Sequence, residues 1–167
     1  EAYSVWDDEG EKVRPSKVFV FAFDPFDLPW DDRALQKAVI DRMEDLLTED
    51  EAIRAGIEEA ARLLSDRIEE LGLALRSDYV FDTDWNLKDY LRSFDFEADV
   101  DAQDSLLDNL LRFIRMAEDT LFGGVLCFVN LNSFLIEKDL KEVYQQIFLS
   151  NLCVLMLENQ HDETSYE

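Results

Sequence analysis

Val125-Leu-Cys-Phe-Val-Asn-Leu-Asn-Ser-Phe-Leu135, a helical stretch over residues 137–149, and Leu152-Cys-Val-Leu-Met-Leu157 follow one another late in the chain. Their order decides the fold. Two short apolar runs of β-branched and aromatic residues separated by about a dozen residues of helical pattern form a strand-helix-strand unit, which implies parallel pairing with a right-handed crossover. Both runs are continuously apolar, so the sheet is expected to be covered on both faces.

Working outward, Val18-Phe-Val-Phe-Ala-Phe23 has the same composition and reads as a further buried strand. Pro25 and Pro29 end it, because proline cannot donate to a ladder. Asp31 or Asp32 then caps a helix over residues 33–47, and Thr48 with Glu51 has the spacing of a capping box for a second helix. That helix is expected to reach Arg76, with Ile53, Ile57, Ala60, Ala61, Leu64, Ile68, Leu71 and Leu75 on one face. One long stripe needs a partner helix, and residues 104–121 offer Leu106, Leu107, Leu110, Phe113, Ile114, Ala117 and Leu121. An acidic piece over residues 77–101 separates the two and contains a short helix near residues 85–93. The expected fold is α/β: a small parallel-sheet head, residues 1–47 and 122–167, carrying an inserted helical leg with its acidic connecting segment, residues 48–121. Three strands make a thin sheet, so a further strand outside this sequence, or pairing across an oligomer interface, is expected. The chain begins with Glu1, which suits removal of an initial segment or a piece of a longer protein.

Composition narrows the function. Of 167 residues, 39 are Asp or Glu and 16 Lys or Arg, a net charge of −23, while 47% are hydrophobic. So apolar a chain is not a disordered acidic tail. A surface this acidic does not wrap nucleic acid as a whole or dock on anionic lipid, although a local basic strip is compatible with it. No apolar run approaches the ~18 residues of a membrane span. Cys127 and Cys153 lie in apolar runs without metal-ligand spacing, which suits reduced, buried thiols and a cytoplasmic protein.

Catalytic equipment is sparse. There is no nucleophile elbow, and the single histidine, His161, sits in a polar ending. The sheet resembles a degenerate P-loop-NTPase scaffold, yet Gly123-Gly124 precedes a strand instead of opening a helix, no lysine follows it, and strand 125–129 ends in Asn130. The acidic segment is the strongest local signal. Asp82-Thr-Asp84-Trp-Asn86 begins like an EF-hand but has Leu87 where the turn glycine belongs and Ser93 where the bidentate glutamate belongs. In an extended conformation Asp95, Glu97, Asp99 and Asp101 would share one side, within about 20 Å at ~3.3 Å per residue. Such acids are either a solvated face or an irregular Ca²⁺ site. On the long helix Arg54, Arg62 and Arg76 fall within about 80° of one another and could follow a phosphate backbone. Glu58 precedes Arg62 by four residues, so intrahelical salt bridges are the competing explanation. Lys138 and Lys141 repeat the signal more weakly.

The strand over residues 18–23 with Asp24-Pro-Phe-Asp27, the segment Trp85-Asn-Leu-Lys-Asp-Tyr-Leu-Arg-Ser-Phe-Asp-Phe96, and the pair 125–135 and 152–159 together resemble the CRISPR-associated Csn-two family of type II-A systems. The resemblance is colinear from residue 1 to about residue 159. It implies a non-enzymatic protein of spacer acquisition: an α/β head, a helical leg, and a homotetrameric ring whose lumen encircles double-stranded DNA, often by its ends. It further implies bound Ca²⁺, with Asp82, Asp84, Asp89 and Asp99 at the ligand positions, and integrase proteins and the effector nuclease as partners. Family lumens are lysine-rich, and this chain departs from that. An acidic protein-protein scaffold without direct DNA binding is therefore the alternative expectation. A third is an ATPase whose phosphate loop lies outside this sequence.

Overall fold

The computed structural model describes residues 5–6, 9–77, 80, 85–94, 98 and 104–159. β1 (Val5–Trp6) and β2 (Lys12–Val13) form a small antiparallel hairpin around Gly10, whose φ of 80° suits glycine. β3 (Phe19–Ala22) follows, then α1 (Arg33–Glu49), α2 (Glu51–Gly72), α3 (Leu87–Ser93), α4 (Leu106–Asp119), β4 (Val125–Val129), α5 (Glu137–Leu149) and β5 (Cys153–Leu157). The three later strands form one parallel sheet in the order β3-β4-β5, as the continuous apolar runs predict. The fold is thus mixed α/β, a small parallel sheet with a helical extension. No described helix is long and apolar enough to cross a membrane.

The chain divides into two units, residues 1–39 with 97–167 and residues 40–96. In the first, alternation along the strands sends Val20, Ala22, Leu126 and Phe128 to one side of the sheet. There they meet Leu110, Phe113, Ile114 and Ala117 of α4 and Val143 of α5, all within one core cluster. α4 starts where the Ser105 hydroxyl accepts the Asp108 amide N–H at 3.1 Å. It ends in a Schellman turn, in which the Phe122 N–H donates to Ala117 O and the Leu121 N–H to Glu118 O, at 3.0 and 2.9 Å.

Several expectations change. Residues 106–119, expected to pair with α2 in the leg, belong to the first unit, because their stripe fills the sheet side of the core. Leu121 leaves that stripe: it is the left-handed residue of the turn, with φ of 51°, and is exposed. Thr48 does not open the second helix. It lies inside α1, its hydroxyl donating to Glu44 O, and the cap is Asp50, whose carboxylate accepts the Ala52 and Ile53 N–H groups at 2.9 and 3.0 Å. α2 stops at Gly72, so Leu75 and Arg76 lie beyond it. Its stripe stays open, with Ile53, Leu64 and Ile68 all exposed.

The sheet is not covered on both faces. Phe19, Val125 and Cys153 form one cross-strand row and Phe21, Cys127 and Leu155 the next, and none of the six belongs to the core cluster. Cys127 is buried as expected, but Cys153 is exposed. Continuous apolar runs record that both faces avoid water. They do not record whether the same chain supplies both covers.

Candidate functional site

The arginines read as a phosphate-tracking strip sit on an exposed, strongly acidic helix. Along α2 six carboxylates accompany Arg54, Arg62 and Arg67. At three- and four-residue spacing these charges are neighbours, so the helix pairs them internally. The Arg54 guanidinium bonds Glu51 and lies 3.8 Å from Glu58. Arg62 straddles Glu59, Nη2 to Oε1 at 2.8 Å and Nε to Oε2 at 3.0 Å, and reaches Asp66 at 3.1 Å. Arg67 pairs with Glu70 at 2.7 Å. The Glu51 and Glu58 carboxylates hold the Arg54 proton more tightly than usual, and the hydrogen bond from Arg62 keeps the Glu59 carboxyl below its ordinary range. All these pairs are solvated and yield to salt. A phosphate reaching Arg54 or Arg62 must therefore displace a carboxylate. Arg76, in the exposed bend after α2, does not share the helical face that the sequence reading gave it.

Of the four implied calcium ligands, Asp82, Asp84 and Asp99 lie outside the described residues. Asp89 stands in the first turn of α3, where Asn86 caps the helix by accepting the Asp89 N–H at 3.1 Å. Its carboxylate is 76% exposed and 3.8 Å from the Arg92 guanidinium, so an incoming cation would compete with one weak, solvated partner. Among the described residues no group of three or more Asp, Glu, His or Cys gathers at metal-binding distance. Sequence reasoning missed the aromatic side of this helix. Tyr90 lies between Trp85 and Phe94, with ring centroids at 6.4 and 4.7 Å, and Tyr90 and Phe94 are exposed beside Arg92. The signal was the four-residue spacing of Tyr90 and Phe94.

The third region is the carboxyl edge of the parallel sheet, where α/β folds commonly hold ligands. Asn130 directly follows β4 with φ of 56°, a left-handed conformation that asparagine tolerates. Its N–H donates to Leu157 O at 2.8 Å and its side-chain oxygen accepts the Asn159 N–H at 3.1 Å. Glu158 accepts the Asn132 N–H at 3.2 Å, and the Tyr144 hydroxyl reaches the Asn132 side chain at 3.4 Å. These groups stitch the exits of β4 and β5 to each other. On α5, Lys141 pairs with Glu137 at 2.6 Å and holds that carboxyl low, while Lys138 is exposed.

Compared with known proteins, the chain matches over residues 1–166 the sequence family described as CRISPR-associated protein (Cas_Csn2). No curated protein matches it. Among solved structures it is similar to the crystal structure of Stu0660 of Streptococcus thermophilus, with a TM-score of 0.58 and 15% identity. The match covers 95% of this chain and 52% of that one, so the chain spans about half the length of the solved relative. At this identity the likeness concerns the fold. The family match runs through the head strands, the acidic segment and α2 alike, and by that extent the chain belongs to the Cas_Csn2 family of CRISPR-associated proteins.

Proposed function

We propose that the protein is a non-catalytic, calcium-dependent component of CRISPR spacer acquisition that assembles as a homotetrameric ring and binds double-stranded DNA at its ends. The observation that carries this reading is the family match over residues 1–166. In this reading the head is a P-loop-type scaffold without its phosphate cradle, and Asn130 sits at the sheet's carboxyl edge with its polar groups committed to β5. Calcium is held by Asp82, Asp84, Asp89 and Asp99, hard oxygen donors of the kind it prefers. Arg54, Arg62 and Arg76 are the proposed DNA contacts, and cation binding to the acidic segment reduces the repulsion a polyanion meets. The integrase proteins and effector nuclease are its partners, in the cytoplasm.

Gel filtration and a gel shift with linear duplex, each in calcium and in chelator, test the reading. A tetramer that shifts linear duplex only with calcium, and less as salt rises, is expected. A tetramer indifferent to DNA in both conditions sinks DNA binding and leaves the second reading, an acidic protein-protein scaffold. That alternative is favoured by one observation: Arg54 and Arg62 are already neutralised by their own helix. The calcium ligands have a separate test. Saturating calcium, at about a hundredfold over its Kd, should stabilise the protein by roughly 2.7 kcal/mol and raise its Tm. In Asp82→Asn with Asp84→Asn that rise should vanish; an unchanged rise moves the site elsewhere.

A further inference from the structure

We propose that the open face of the β3-β4-β5 sheet is the docking site of an amphipathic helix of about eleven residues, apolar on one side and basic along its flanks. The face comprises the two rows already described, with Val129 and Leu157 in a third row and Phe23 directly after β3. Phe19, Phe21 and Phe23 stack successively with ring centroids 5.8 and 5.2 Å apart, which places all three on this side. Phe23 is 71% exposed and Leu155 and Leu157 are 42% exposed. No charged or polar side chain interrupts the rows. Parallel sheets occur almost only with both faces covered, and here α4 and α5 cover the other one.

Size and charge select the occupant. Three strands spaced about 4.8 Å apart, each about five residues at 3.3 Å, make a face of roughly 14 by 17 Å. That is the footprint of one helix 10–12 Å across and, at 1.5 Å per residue, about eleven residues long. A stable dimer buries about 800 Å² on each partner, several times this area, so stacking of two copies through their sheets is disfavoured. The longest stretch outside the described residues is 160–167, Gln160-His-Asp-Glu-Thr-Ser-Tyr-Glu167, too short and too polar to serve. The open stripe of α2 from a second copy has the right shape, but its six carboxylates would approach a chain of net charge −23. At the carboxyl edge of the sheet, Asp24 and Glu158 add negative charge beside the face, while Lys17 precedes β3 at the other edge. A helix running antiparallel to the strands sets its positive N-terminal end at Asp24 and Glu158. Basic flanks complement the remaining surface.

Cys153 is a built-in reporter, being exposed on this face. Cys127 is buried, and burial pushes its thiol pKa up, so it reacts slowly. The experiment follows modification of Cys153 by iodoacetamide in the full chain, with a synthetic helix bearing leucines on one side and lysines on its flanks. Protection of at least about tenfold is expected, because a covered thiol is inert. Leu155→Glu and, separately, Leu157→Glu should remove the protection while leaving the far-ultraviolet spectrum unchanged. Equal protection by a peptide of the same composition with its leucines scattered would overturn the proposal, since charge alone would then explain binding. Equal protection by a glutamate-flanked helix would overturn the basic flanks. Slow modification without any peptide, together with a dimer that Leu155→Glu dissociates, would show a second copy on the face and also overturn it.

Discussion

Replacing Phe113 by alanine should cost the first unit about 3–5 kcal/mol, a large fraction of the roughly 5–15 kcal/mol that holds a domain folded. Phe113 is fully buried on α4 and meets Trp30 and Phe128 edge to face, with ring centroids at 5.2 and 6.2 Å and interplanar angles of 88° and 79°. It joins the loop after β3, the helical layer and the central strand. Truncation removes its apolar burial, leaves a cavity that flanking rings cannot collapse into, and loses two favourable aromatic contacts. At about 2–4 °C per kcal/mol for a chain of this size, the Tm should fall by roughly 10 °C. Trp30, half-buried against the same ring, supplies a local fluorescence readout. Leu155→Ala is the comparison. On the open face it should cost only about 1 kcal/mol, because much of the side chain is already in water and no cavity is enclosed. Equal losses for the two variants would mean that the open face is as covered in solution as the core.

That contrast separates what the sequence could reveal from what it could not. The runs over residues 125–129 and 152–157 announced β4 and β5 and their parallel pairing, because so apolar a run joined by one helix has few alternatives. The Asp32 cap was equally legible: its carboxylate accepts the Ala34 N–H at 2.8 Å. A helical stripe, however, tells that a face is buried and not against what. Leu110, Phe113, Ile114 and Ala117 therefore looked like a partner for α2, whereas they pack on the sheet. The arginine strip failed for a local reason. Its geometry needed a helix unbroken to Arg76, and Gly72, with the poorest helix propensity apart from proline, ends it one turn earlier. Glu58 ahead of Arg62 signalled internal pairing, but the stronger partners are Glu59 and Asp66, at spacings that compete equally well. For the acidic segment, one-dimensional spacing places carboxylates near each other and leaves their joint geometry open. Only Asp89 of the four acids falls among the described residues, and α3 gives it Arg92 as a neighbour.

Gly124→Ala should destabilise the protein by about 3 kcal/mol, whereas Gly123→Ala, one residue earlier, should be neutral or stabilise it by up to about 1 kcal/mol. In the sequence the two glycines look like one punctuation mark. A Cβ on Gly124 would lie 2.5 Å from Val18 O and 2.4 Å from Cζ of Phe122. Neither neighbour can yield cheaply. Val18 O accepts the Val125 N–H at 2.7 Å, the bond that begins the β3-β4 ladder, so moving it leaves a strand donor unsatisfied. Phe122 is held on both sides, its N–H tied to Ala117 O by the turn after α4 and its ring buried in the core cluster. At Gly123 an added Cβ meets nothing within 4 Å, and φ lies outside the left-handed region, so alanine mainly restricts the unfolded chain. Urea midpoints of the two variants decide the matter: a Gly124→Ala protein within about 0.5 kcal/mol of the parent would refute the close approach. Because β3 is an edge strand whose only neighbour is β4, loss at this point should loosen Phe19, Phe21 and Phe23 together. In Gly124→Ala the proposed helix should therefore protect Cys153 less, although none of its contact residues has changed.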